Sequence, residues 1–360
     1  MKKSGTKVID LFCGIGGLSH GFVKEGFDVI AGIDFEPSCK YPFEENNDAE
    51  FISKDIRDVK SKDINQLFGN AKIRILVGCA PCQPFSTYSF KSPDHSQEDS
   101  KKSKWGLLYE FARLIEEVKP EIVSMENVPG LAKFDKSDVF VGFLKILNDN
   151  NYFVDYKIVD CTQYGIPQKR KRLVLLASRL GQISIIPETH TNPKNYVKVK
   201  DVIGHLESIQ SGEISKKDPL HRATKLSDTN ILRIKQSKPG GTWRDWDENL
   251  ILDCHKKKSG KGYGSVYGRM KWDEPAPTMT TFCTGIGNGR FGHPEQDRAI
   301  SLREAALIQT FPESYKFAEN EKQISMTKLS TFIGNAVPVD LGKVIAKSIN
   351  FHLNKDFKNK

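Results

Sequence analysis

From Lys7 to about Arg179, short β-type apolar runs alternate with longer segments whose apolar residues recur every three or four positions. That alternation restricts the fold more than any other feature of the chain. The strand candidates are KVIDLF, FDVIAGID, RILVGC, EIVSME, YFVDYKIVD and RLVLLAS, and LLYEFARLIEEVK and VFVGFLKILNDN are the clearest intervening helices. Strands separated by helices pair through crossovers, so the expected fold is α/β, a doubly wound and largely parallel sheet covered on both faces. After about Gly181 the alternation stops. Residues 181–297 are rich in Gly, Pro, Lys and Asn, which predicts an irregular, loop-rich second domain. Regular structure returns with SLREAALIQTF, where Ser301 and Glu304 have the spacing of a helix-opening capping box. A last helix is expected from near Pro338, with the proline at its first position. The polar stretch KSPDHSQEDSKKSK (91–104) reads as a mobile loop.

The 360 residues allow one large domain or two of ordinary size. No stretch approaches the ~20 apolar residues of a membrane span, and the basic N-terminus lacks a cleavable small-residue site, so neither a membrane nor a secretory route is expected. Seven scattered cysteines do not make a disulfide framework, which points to a reducing cytoplasm. The formal charge of +9 favours a polyanionic partner, although a lysine-rich surface kept for solubility would look the same.

The first strand runs into LFCGIGG, where glycines at 14, 16 and 17 allow a tight turn and close approach of a ligand. The next strand ends at Asp34, about where such folds place a carboxylate on a ribose, and Asp55 follows another short strand. All three lie at the carboxyl ends of strands, where ligands collect in open α/β sheets, so a ribose-bearing cofactor is expected. The full G-x-G-x-x-G pattern is missing, and Phe12 suggests an aromatic wall beside an adenine, which argues against a dinucleotide.

On the same edge lies VGCAPCQPFS. A C-x-x-C can be a redox pair, half a zinc site, or one working thiol beside a bystander. Prolines at 81 and 84 oppose the helix start that activates a redox pair, and no Cys or His partners for zinc are close. Cys79 is therefore read as packing and Cys82 as the reactive thiol, with Glu126 at the end of the next strand facing the same crevice. In QKRKRLVLLAS, extended chain puts Gln168, Arg170 and Arg172 on one face and Lys169 and Lys171 on the other, and the buried-looking strand that follows directs one face inward.

Taken in order, DLFCGIGG, Asp34, Asp55-Ile56, GCAPCQPFS, Glu126-Asn127-Val128, Gln168 to Arg172, RAISLREAALIQTFP and GNAVP resemble the DNA (cytosine-5)-methyltransferase family of bacterial restriction-modification systems. The matches run from about residue 8 to 338 and leave only 181–270 without a family pattern. The resemblance implies a Rossmann-like methyltransferase domain dependent on S-adenosylmethionine over 1–180 and 334–360. It also implies a smaller irregular target-recognition domain over 181–310, with 311–333 as a hinge. Phe12, Gly14, Ile15, Gly16, Gly17, Asp34, Phe35, Asp55, Ile56, Pro81, Asn335 and Ala336 would then bind the cofactor, Asp34 on the ribose hydroxyls and Asp55-Ile56 near the adenine. Cys82 would be the nucleophile, Glu126 the group on the base ring and Arg172 a contact to the base carbonyl, with Gln168 and Arg170 organising the site. Ser86, Thr278 and Arg269 would touch DNA, Thr278 near the backbone of the target nucleotide, and no metal is implied.

These residue types suit the chemistry. A thiolate adding at carbon 6 of cytosine breaks aromaticity and makes carbon 5 enamine-like, and Glu126 can assist at N3 if its carboxyl is held protonated. The base must leave the duplex to be reached, and the loop 91–104 would close over it. The implied partner is double-stranded DNA, with a cognate restriction endonuclease beside a monomeric, cytoplasmic enzyme that associates with the nucleoid through DNA. Lys256, Lys257 and Lys258 read as phosphate contacts, whereas Trp243, Arg244 and Trp246 fit either a core or base reading. Two other readings stand beside this one: an RNA (tRNA) cytosine-5 methyltransferase, and a dithiol oxidoreductase, which would leave Glu126 and the basic second domain unexplained.

Overall fold

The computed structural model describes residues 5–81, 98–133, 138–258 and 260–356. Seven strands form one sheet: β1 (Thr6–Leu11), β2 (Asp28–Asp34), β3 (Glu50–Ser53), β4 (Ile73–Gly78), β5 (Ile122–Asn127), β6 (Phe153–Asp160) and, after the short β7 (Gln168–Lys169), β8 (Lys171–Ser178). Their spatial order is β3-β2-β1-β4-β5-β8-β6, while β7 pairs with β9 (Ala276–Pro277) in a separate two-stranded ladder. β1 to β5 pair parallel with one another, and β8 inserts antiparallel between β5 and β6. The order reverses between β1 and β4, and such a switch point leaves a crevice beyond the carboxyl ends of those strands.

Continuous apolar runs occupy the middle of the sheet because both faces there are covered: every residue of β5 is buried, as is all of β8 after Arg172. On one face, helices Glu98–Val118 and Asp138–Asp149 bury Phe111, Leu114, Phe143 and Leu147 against Ile9, Leu76, Val123 and Leu175. The first of these helices begins inside 91–104, so the expected loop is helical from Glu98 onward. Helix Gly17–Lys24 packs against the last helix, Val339–Asp356, with almost no space between backbones. A Cβ added to Gly21 would lie 2.5 Å from the carbonyl carbon of Gly342. Pro338 precedes that last helix and caps it, its carbonyl accepting from the Gly342 amide at 3.1 Å, rather than standing at its first position.

The chain forms two compact units, one of residues 1–160, 171–188 and 337–360, the other of 161–170 and 189–336. The second unit has few strands, and buried polar and aromatic contacts join its apolar clusters. The buried guanidinium of Arg298 forms two 2.7 Å bonds to the Glu304 carboxylate, and Ser301 and Glu304 close the expected capping box. Residues 311–333 are part of this unit rather than a connection. Phe311, Tyr315 and Phe317 stack in an aromatic cluster with centroids 4.7 to 5.2 Å apart, and helix Met326–Asn335 follows.

Candidate active site

At the carboxyl end of β1 the chain turns through Phe12 (φ 64°), Gly14 (φ 48°) and Gly16 (φ 84°), a left-handed path that glycine adopts without strain. Gly14 N–H donates to Asp34 Oδ2 at 2.8 Å and Glu36 N–H to Asp34 Oδ1 at 3.0 Å, so the turn after β1 is tied to the end of β2 beside it. Burial pushes the Asp34 carboxyl up, against these amide bonds, which pull it down. Each Asp34 oxygen keeps acceptor capacity for a diol. The outer side of the turn is open, since a Cβ on Gly14 would meet nothing within 4 Å. Phe35 stands 69% exposed beside Asp34, while Phe12 packs edge-on to Phe111 with centroids 6.4 Å apart.

Other expected cofactor residues are placed differently. The side chain of Ile15 is buried, as is Gly17, so these contribute backbone and packing. Asp55 receives the Arg57 backbone amide and its guanidinium, which hold the carboxyl down at about 2, and Ile56 is buried in the core. Beneath the turn lies Asp10, fully buried. Ser19 Oγ donates to its Oδ2 at 2.6 Å, whereas Oδ1 has no hydrogen-bond partner. Burial pushes this carboxyl up to about 7. An acceptor carboxylate with capacity to spare, an open glycine turn and an exposed aromatic ring fit the ribose and adenine of an adenosyl cofactor.

The reactive end lies across the switch point. Gly78 of β4 is in register with Met125 of β5, so Cys79 and Glu126 come next on adjacent strands. Glu126 is only 2% exposed. Cys79 Sγ donates to its Oε2 at 2.7 Å, and Arg172 Nε sits 2.9 Å from Oε1 as an ion pair without hydrogen-bond alignment. Asn127 Nδ2 donates to the Ala80 carbonyl at 3.2 Å, a second tie between the two strand ends. Cys79, expected to be mere packing, is therefore a hydrogen-bond donor. Burial first, and then the Glu126 carboxylate, push its thiol well above the ordinary range, so it keeps the proton that it donates. Pro81 is exposed, and Cys82 and Ser86 lie outside the described residues.

In the second unit, burial alternates along the segment as the sequence predicts: Gln168 and Arg170 are buried, and Lys169 is exposed. Gln168 Nε2 donates to Ile308 O at 3.0 Å and Gln309 Oε1 at 2.6 Å, while its Oε1 accepts the Met279 amide. Arg170 donates to Met279 O at 2.8 Å and Ala336 O at 3.4 Å. Gln309, which no local pattern singles out, donates to Ile333 O at 2.6 Å and Ala336 O at 3.0 Å. It sits in an apolar helix pattern, and only its position in the QTFP run could have marked it. Asn335 ends helix Met326–Asn335 and Ala336 caps it, so both belong to this unit. Thr278 Oγ1 donates to Lys169 O at 2.6 Å beside the β7–β9 ladder.

Arg269, expected to touch DNA, is instead buried within the protein. Its guanidinium is 4% exposed and consumed by the carbonyls of Ser237, Ile234, His293 and Gln296 and by Asp297. Trp243 and Trp246 belong to a buried cluster with Leu250 and Val266, which leaves Arg244, exposed over the Trp243 ring at 4.9 Å. Lys256, Lys257 and Lys258 are all exposed.

A family model of C-5 cytosine-specific DNA methylases matches residues 6–350. The chain is 57% identical over 342 residues to the Type II methylase M.HgiDII of Herpetosiphon aurantiacus, covering 95% of this chain and 94% of that one. It is 30% identical over 352 residues to the Type II methyltransferase M.PspPI of a Psychrobacter species, covering 96% and 79%. The fold is similar to that of an E. coli prophage protein assigned as a DNA modification methyltransferase, with TM-score 0.71, 22% identity and coverage of 97% and 99%.

Proposed function

The chain belongs to the C-5 cytosine-specific DNA methylase family, and from that membership we propose how its own residues carry out methyl transfer. Cys82 adds to carbon 6 of a cytosine extruded from duplex DNA, forming a carbon–sulfur bond and pushing the ring electrons toward N3 and carbon 5. A proton passed from the Glu126 carboxyl to N3 neutralises the developing charge, while Arg172, 2.9 Å from Glu126, reaches the base carbonyl. The glycine turn, Asp34, Phe35 and the segment at Asp55 would hold S-adenosylmethionine, which would supply an electrophilic methyl for carbon 5. Transfer of the carbon 5 proton to solvent water, with cleavage of the carbon 6–sulfur bond, then restores aromaticity and frees the Cys82 thiolate. The observation that supports this reading most is the buried Glu126 at the strand end adjoining the one that leads into Pro81-Cys82.

The two Type II relatives favour a modification enzyme paired with a restriction endonuclease, and the second unit, with exposed Lys256 to Lys258, is the region we assign to target recognition. No described helix is long and apolar enough to cross a membrane, and we place the enzyme in the cytoplasm, on the nucleoid when bound to DNA. Its working form is taken to be a monomer.

The test is covalent trapping. Duplex DNA carrying 5-fluorocytosine within the modified site, which bisulfite sequencing of a co-expressed plasmid identifies, should form a stable adduct with the wild type. Cys82→Ser should form none and lose methylation by at least ~10³-fold, as expected for removal of a nucleophile. Wild-type turnover without an adduct at Cys82 overturns the mechanism, and methylation of tRNA in preference to duplex DNA overturns the substrate.

A further inference from the structure

We propose that Cys79 is a positioning residue for methyl transfer: its thiol fixes the Glu126 carboxyl through Oε2 and leaves Oε1 directed at the incoming base. The inference rests on the role given to Glu126 above. Two observations carry it. Cys79 Sγ lies 2.7 Å from Oε2, at the place where the register of β4 and β5 brings the two residues side by side. Oε1 is buried and lacks a hydrogen bond, because the nearby Arg172 Nε is not aligned with it. A buried acceptor left without a donor is unfavourable unless an incoming group satisfies it, and the exocyclic amine of cytosine, or its N3 once protonated, is such a group.

The contact also explains why two cysteines stand three apart with only one in a nucleophile's place. Asn127 bonds the Ala80 carbonyl, so both residues that follow β4 are tied to the end of β5 before the chain reaches Pro81 and Cys82. Carboxyl and nucleophile-bearing segment thus share one anchorage. A carboxyl free to rotate would spend part of its time with neither oxygen toward the ring, and misplacement of about 1 Å can cut turnover ~100-fold.

The test compares Cys79→Val, which keeps apolar volume but donates nothing, with Cys79→Ser, which keeps a donor. Under saturating duplex DNA and S-adenosylmethionine, and well below the thermal midpoint, which the orphaned Oε2 lowers, Cys79→Val should lower the single-turnover methylation rate by ~10-fold or more with KM values near wild type. Cys79→Ser should restore most of the rate, and adding Cys79→Val to Glu126→Gln should cost little further, since a positioning residue acts only through its partner. An unchanged rate in Cys79→Val overturns the proposal, as does equal loss in the Val and Ser variants or full additivity with Glu126→Gln. A wild type that methylates and a Glu126→Gln that does not, beside an unimpaired Cys79→Val, would sink this inference alone. An unimpaired Glu126→Gln would sink the mechanism beneath it.

Discussion

Asp10 and Arg269 show two ways in which this protein handles a buried charge. Arg269 is surrounded by four carbonyls and a carboxylate, so its charge is fully paired and holds together segments far apart in sequence. Asp10 has one donor, Ser19, and an empty oxygen, and burial lifts its pKa from an ordinary 3.8 to about 7. The folded state therefore binds this proton more tightly than the unfolded chain does. Its stabilising contribution is complete below about pH 4 and is lost as pH rises through about 7. In Asp10→Asn that dependence should vanish. Denaturant titrations of the ligand-free protein should show wild type falling behind Asp10→Asn between about pH 4 and 7, by on the order of a few kcal/mol, and then running level. Parallel curves across that window would mean that Asp10 stays ionised.

Among the elements, the helix that opens at Gly17 has little tolerance for a larger residue. It begins at the glycine turn, and its Gly21 lies against Gly342 of the last helix where a methyl group finds no room. Gly21→Ala should cost about 1–3 kcal/mol in thermal or denaturant unfolding, the usual penalty of overpacking. It should also weaken S-adenosylmethionine binding in calorimetry, because the displaced helix carries the turn with it. Unaltered stability would show that the two helices separate without penalty. The strands of the sheet and helices 107–119 and 139–150 were legible in the sequence because each carries its own period. So was the turn, through its glycines and Asp34. What the sequence hid are interactions whose partners lie far along the chain. Gln309 meets Gln168 141 residues away, and Cys79 meets Glu126 47 residues away. Arg269, which the resemblance put on DNA, carries no local sign of the carbonyls that enclose it. The 311–333 segment looked like a connection because its cohesion is aromatic and irregular rather than periodic.

For the molecule as a whole, a formal charge of +9 on a DNA-modifying enzyme should appear as salt sensitivity. Replacing Lys256, Lys257 and Lys258 together by Ala should flatten the slope of log affinity against log salt by up to about 3, roughly 0.9 for each phosphate no longer neutralised, and nearly equally on cognate and random duplexes. A slope unchanged from wild type would remove these lysines from the interface. The first unit is assembled from three pieces of chain, 1–160, 171–188 and 337–360, with the whole second unit encoded between the first and the last. A ribosome making this protein adds Phe12, Gly14 and Asp34 early, whereas helix Val339–Asp356, which packs against the helix leading out of their turn, is added only after the whole second unit. Until that helix emerges, the Gly21 face of helix Gly17–Lys24 has no partner, so the first unit closes only after the second has been made.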